Sequence, residues 1–302
     1  MNKRRIVILV FLILLVITIA ASITLGSRRI SLEELTDGLL HPSVSSYGAN
    51  VVRKRVIRTV FSLLCGAALG VSGALMQAVT RNPIADPSIL GVNTGAAFFV
   101  VCGIAFFHIS TAGQYIVFAL AGAMLAAIAV YSIGSMGRGG ATPIKLVLSG
   151  TAVSAALSSL ISAILLPRSY VLDQYRFWQV GSVGSGTIHG ILTFSPLLAA
   201  GFVIALLCAP ALNALALGDE AATGLGVHTK TLRLTAAAGG VLLCGSTTAL
   251  AGPIGFIGLL APHIMRLLLG SNLRLTIPLS ALAGAVILTI ADVIGRLLLY
   301  PG

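Results

Sequence analysis

The residues of this chain whose types and spacing could do chemistry are a few charges set beside or inside apolar runs. Arg55 and Arg58 stand three apart, so on a helix they share one face, and Arg296 follows Asp292 by four near the far end. A guanidinium is a planar fork that grips a carboxylate bidentately and stays charged at any physiological pH. Headgroup snorkelling is the bland alternative. An acid inside an apolar run is a functional candidate by default, and Asp292 with His263 could form a proton relay; internal pairing is the plainer reading. Ser149, Ser154 and Ser158, with Gly150, Ser159 and Ser162, make a small polar stripe at roughly helical spacing, which either lines a path or packs helices. The acids Asp219 and Glu220 open a short segment whose Ala221, Ala222 and Leu225 offer an apolar face.

What is missing is equally specific. The sequence holds no G-x-x-x-x-G-K-[ST] phosphate loop, no H-E-x-x-H and no G-x-S-x-G, so no ATP hydrolysis is expected on this chain, nor a catalytic residue or a bound metal. Cys65, Cys102, Cys208 and Cys244 are isolated in apolar runs, without a C-x-x-C pair.

The elements that must position these residues follow from composition. Of 302 residues, 57% are hydrophobic and 9% charged, and the mean hydropathy is +1.03. Soluble proteins carry about 25% charge. Too little polar surface remains to cover a water-soluble globule, which excludes a secreted disulfide scaffold, a cytosolic enzyme and a disordered chain. The expected fold is all-α, a polytopic transmembrane bundle with spans near 6–25, 57–79, 92–107, 114–133, 145–166, 191–212, 232–249, 252–269 and 275–300. Lys3, Arg4 and Arg5 precede a first run longer than the 7 to 15 residues or so of a signal's apolar region, so it reads as an uncleaved helix with a cytoplasmic N-terminus.

The net charge of +11 sits mostly between spans and lacks an aromatic-studded stripe, which speaks for topology and lipid contact and against nucleic acid. Nine crossings place Arg138, Lys145, Lys230, Arg233, Arg266 and Arg274 in the cytoplasm. Arg28, Arg29, Arg53, Lys54, Arg55 and Arg58 then fall outside, against the charge rule, partly offset by Glu33, Glu34 and Asp37. Either the first span is misread, or these charges have a job outside, or they form a simple solvated loop. Gly66, Gly70 and Gly73 fall near one face of the second span and permit close helix contact. After Gln77, the prolines at 83 and 87 forbid a regular helix, so Arg81, Asn82 and Pro83 open a compact turn. Polar groups there satisfy freed backbone, or Gln77 and Asn82 touch a substrate. Gly252, Pro253, Gly255 and Gly258 likewise make the eighth span irregular at its start.

Three blocks carry a resemblance. They are RVIRTVFSLLCGAALGVSGALMQAVTRNPIADPSILGVNTG over 55–95, GDEAATGLGV over 218–227 and LAGPIGFIGLLAPHIMRLLLG over 250–270. The sequence closely resembles the FecCD family, membrane subunits of ABC importers for iron-siderophores, haem and cobalamin. The resemblance implies one permease domain over 1–302 in a bacterial cytoplasmic membrane. It implies a homodimer or a heterodimer with a paralogue, and alternating access driven by a separate pair of cytoplasmic ATPases that hold ATP and magnesium. It assigns Arg55, Arg58 and Arg296 to docking an extracytoplasmic substrate-binding protein. Gly218, Asp219, Glu220, Ala221, Ala222, Leu225 and Gly226 become the ATPase coupling loop, and the span holding Ser149, Ser154 and Ser158 borders the pathway; Gln77, Asn82 and Pro83 stay candidates for the pathway or gate from their place at the turn. The family segment is closer to RLPR, so Val56 and Ile57 depart from it, and the family continues past the ninth span with a tenth. An iron(III)-siderophore is the implied cargo; haem, cobalamin or a proton-coupled mechanism are the alternatives.

Overall fold

The computed structural model describes residues 3–298 apart from 27, 29, 138 and 139, so Arg29, Arg138 and the end of the ninth expected span lie outside the described residues. Among the described residues every regular element is helical, as lipid demands of a chain with no water to satisfy its backbone. The helices are α1 (Lys3–Thr24), α2 (Leu32–Leu40), α3 (Tyr47–Thr80), α4 (Val92–Phe107), α5 (Ala112–Ser135), α6 (Pro143–Leu165), α7 (Ser169–Gln179), α8 (Ile188–Leu215), α9 (Asp219–Gly224), α10 (Thr229–Ala251), α11 (Ile257–Leu269) and α12 (Leu273–Leu298). Single 3-10 turns cover Pro87–Leu90 and Val183–Ser185.

Each of the nine expected spans has its helix, and among the described residues seven of them are long and apolar enough to cross a membrane alone. At 1.5 Å per residue, the 16 residues of α4 and the 13 of α11 rise about 24 and 20 Å, short of the roughly 30 Å hydrocarbon core. Both follow a break. Before α4, Arg81 takes the left-handed conformation (φ 49°) and Pro83 and Pro87 prevent helix; before α11, Gly252 (φ 76°) and Pro253 do the same. The eighth span therefore starts at Ile257 and not at Gly252.

Two amphipathic helices, α2 and α7, were not expected. Ser31 and Glu34 start α2 with reciprocal bonds, Ser31 Oγ to the Glu34 N–H and a Glu34 carboxylate oxygen to the Ser31 N–H. Too short and too polar to span, they escape a reading based on apolar length. Conversely α3 begins ten residues before its expected start, at Tyr47, and runs unbroken for 34 residues through Val56 and Ile57, since no proline interrupts the basic segment.

Deeply buried α3 is the centre of the bundle, with α8, α10, α11 and α12 against it. Its glycines decide how close those neighbours come. A Cβ on Gly66 would overlap the Gly284 carbonyl of α12, one on Gly70 the Ser280 carbonyl, and one on Gly73 the backbone of Gly258 in α11. With no hydrophobic force between helices in lipid, such backbone contact and buried polar pairs do the holding. Ser62 meets Thr289 at 3.0 Å, and Ser72 donates to the Gly240 carbonyl at 2.7 Å.

Packing gives the bundle two ends. The start of α3, the end of α1 and the end of α12 meet at one, marked by Arg58. The end of α3, all of α9 and the start of α10 meet at the other, marked by Asp219.

Candidate functional site

At the Arg58 end, one buried carboxylate organises the arginines. Arg58 Nε lies 3.0 Å from both oxygens of Asp292, and its Nη2 is 2.5 Å from one of them. Arg296, one turn further along α12, places Nε 3.1 Å from the other oxygen and donates to the carbonyl and hydroxyl of Ser22 in α1 at 3.2 and 3.0 Å. Ser22 bonds in turn to Thr59 at 2.7 Å. Asp292 is 5% exposed and Arg296 12%, while Arg58 keeps 29% of its side chain open. An irregular cleft of about 330 Å³, walled by Pro253, Gly255 and Leu288, opens beside Asp292.

Arg55 stands apart from that carboxylate. It is buried and donates to the carbonyls of Ile23 and Thr24 (3.2 and 2.8 Å) and of Arg28 (2.7 Å). The last carbonyls of α1 have no intrahelical partner, so a guanidinium closes that helix. Arg28 pairs with Glu34 at 2.8 Å and sits over the Tyr47 ring, and Arg53 reaches the carbonyls of His41 and Val44. The outward charges thus share one end of the bundle but not one job: Arg58 and Arg296 are brought together, and Arg55 stitches α3 to α1.

At the Asp219 end the arrangement repeats with different burial. Asp219 Oδ1 accepts from Arg81 and from Arg233, each at 2.8 Å, and is 49% exposed. Arg233 is 5% exposed and also donates to the Ala141 carbonyl at 3.0 Å. Gly218 (φ 121°) and Gly226 (φ 82°) bracket α9 with backbone conformations that disfavour a side chain, which confines it to six residues. Ala222 is buried beneath it, while Glu220, Ala221, Leu225 and Gly226 are exposed. Gln77 lies inside the bundle, its Oε1 bonded to Arg266 of α11 and its Nε2 3.4 Å from the Leu259 carbonyl. Asn82 accepts from the Ile84 N–H at 3.1 Å and so braces the turn, and Pro83 faces outward beside it.

The serine stripe divides. Ser149 is buried against α5 and donates to the Val130 carbonyl at 3.1 Å, whereas Ser158, Ser159 and Ser162 lie on the open face of α6 with Ser154 at the margin. Among the long helices α6, together with α1, leaves most of its surface uncovered.

Sequence reasoning missed Ser22, Thr59 and Arg81. Arg81 carried a signal, a charge directly before the Asn-Pro turn; the two hydroxyls carried none. It also placed Asp292 beside His263 as one reading. The partners of Asp292 are instead Arg58 and Arg296, and His263 lies on α11 one turn before Arg266, which reaches Gln77 towards the Asp219 end.

An apolar helical bundle with interrupted helices, a charged node at each end and an uncovered polar-faced helix defines a multi-pass membrane transport subunit. The chain belongs to the FecCD transport family, whose profile matches residues 14–302. It is 41% identical to the ferric enterobactin transport system permease protein FepD of Escherichia coli over 99% of this chain and 89% of that protein. The probable siderophore transport system permease protein YfiZ of Bacillus subtilis is 38% identical over 99% and 90%. The hemin transport system permease protein HmuU of Yersinia pestis is 31% identical over 100% and 91%. A solved structure of a metal-chelate type ABC transporter in an inward-facing conformation superimposes with a TM-score of 0.81 at 30% identity, covering 97% of this chain and 91% of that one.

Proposed function

We propose that this chain is the permease subunit of an ABC importer that carries an iron(III)-siderophore across a bacterial cytoplasmic membrane. The observation that carries the reading is the likeness to siderophore permeases along the whole chain, on a fold whose two ends suit two different partners. Arg58 and Arg296 share a single carboxylate at one end, which leaves positive charge for an acidic substrate-binding protein; Arg58 is the more open of the two, and Arg55 lies at the same end but closes α1. At the other end α9 presents Ala221 and Leu225, a small apolar knob for a groove on an ATPase. Arg81, Lys145, Lys230, Arg233, Arg266 and Arg274 belong to that end, which is therefore cytoplasmic, and the N-terminus of α1 with it. Two such subunits, identical or paralogous, enclose the path along the open face of α6. ATP and magnesium act on the partner, and binding and hydrolysis there shift the pair between outward and inward states.

Gentle detergent purification from native cells, with mass spectrometry of the co-purified chains, tests the class. A stoichiometric ATPase is expected; its absence under conditions that preserve a control ABC complex overturns the reading. Cargo is tested by uptake of labelled ferric enterobactin in competition with haem. The similarity to a hemin permease makes haem the second reading, and preferential uptake of haem would favour it.

A further inference from the structure

Besides the packing of Ala222, α9 is held through one carboxylate, Asp219, which reaches the next helix and two segments far away in sequence. Through Arg233 it reaches α10 and the Ala141 carbonyl of the connection between α5 and α6. Through Arg81 it reaches the residue that ends the central helix α3 and opens the turn leading to α4.

That turn is built to move as one piece. Asn82 Oδ1 accepts from the Ile84 N–H at 3.1 Å and Asp86 Oδ1 from the Ser88 N–H at 2.9 Å, while Ala85, Pro87 and Leu90 are buried beneath it. Its far side ends on α6: the Ile89 carbonyl lies where a Cβ on Gly150 would be, so turn and helix touch backbone to backbone with no side chain to absorb a displacement. Packed backbone is stiff on the scale of such a shift. One turn beyond Gly150, on the same helix, Ser154 lies at the margin of the open face, and Ser158 lies on it.

We propose that Arg81 is a positioning residue that transmits movement of α9 through the 82–90 turn to Gly150, and so sets the position of the α6 face. The inference rests on the importer reading, in which α9 is the element an ATPase moves. The ion pair is a part-exposed link of the route between two separate elements and is able to break, so it fixes whether hydrolysis is coupled to transport or runs idle. Arg233, buried and bonded on two sides, anchors the carboxylate when Arg81 is lost, so α9 keeps its seat.

The test uses the complete importer, permeases, ATPase and binding protein, in proteoliposomes, reading ATP hydrolysis and uptake of labelled ferric siderophore together. Arg81→Gln removes the charge and keeps an unbranched polar side chain at the left-handed position. Uptake per ATP is expected to fall about fivefold or more, the lower bound for a working coupling between sites. Hydrolysis is expected to stay within about twofold, the scale of a weak exposed pair. Arg81→Lys, which restores a cation, is expected to recover most of the uptake. Equal falls in hydrolysis and uptake, or unchanged uptake per ATP in Arg81→Gln, would overturn the proposal. A second route does not depend on that variant: Arg81→Cys with Asp219→Cys, bridged by a short bismaleimide, is expected to couple when bridged and to idle when unbridged, and no difference between the two states would sink it. Absence of ATPase or uptake with the unaltered chain would instead count against the importer reading itself.

Discussion

At each end of the bundle one aspartate serves two arginines, and the two nodes differ mainly in water. Asp292 is 5% exposed and grips Arg58 with both oxygens, while Asp219 is 49% exposed and offers a single oxygen to Arg81 and Arg233. Buried, the pairing is strong and its disruption leaves uncompensated charge; half exposed, it is screened and easily exchanged. The Arg58 node joins α3, α12 and, through Arg296 and Ser22, α1, so it is part of the frame. The Asp219 node sits on a six-residue helix and is suited to yield.

Breaking Asp292 is expected to have the largest effect. Asp292→Ala strands two cations in a low-dielectric setting, at about 3 to 5 kcal/mol, seen as loss of the monodisperse peak or a large fall in thermal midpoint by fluorescence-detected size exclusion. A change below about 1 kcal/mol would show that the cluster is wetter than its burial implies. Next comes Arg55→Ala, which frees the Ile23, Thr24 and Arg28 carbonyls. The expected loss is about 1 to 3 kcal/mol, accompanied by faster proteolysis of the α1–α2 connection; intact stability with lost binding-protein affinity would give Arg55 a docking role instead.

Asp219→Ala is expected to cost less than Asp292→Ala, about 1 to 3 kcal/mol, because it leaves the buried Arg233 without its acid while Arg81 stays in contact with water. The smallest effect is one of salt. Raising ionic strength from about 0.1 to 1 M shortens the screening length from about 10 to 3 Å, so the stability gap between wild type and Asp219→Ala should narrow, through its exposed Arg81 pair, more than that of Asp292→Ala. Equal salt sensitivity at both nodes would remove the distinction between frame and tie.

Much of the architecture was legible because apolar length and glycine-proline breaks are local properties of a chain in lipid. The nine apolar segments, the interruption after Thr80 and the irregular start of the eighth span could all be read. The amphipathic helices α2 and α7 could not, since neither is long or apolar enough to announce itself. Of the candidate site, Asp219 and the α9 segment were visible as acids beside a small apolar run. The division of Arg55 from Arg58 was hidden, because three residues of helix turn one towards the carbonyls ending α1 and the other towards an acid 234 positions away. Likewise spacing grouped Ser149 with Ser158, and only the approach of α5 to α6 buried one and left the other open.

The sequence by itself determined that this protein crosses a membrane repeatedly, where its helices must break, and which blocks tie it to the FecCD family. These rest on hydrophobicity, on backbone restrictions of proline and glycine, and on motif order, none of which needs a distant neighbour. The tertiary structure alone decided which cation meets which acid, which glycine lets two backbones touch, and how much water each carboxylate keeps. Those are properties of two segments brought together, and the strength of a charge pair follows from burial that neither segment has alone.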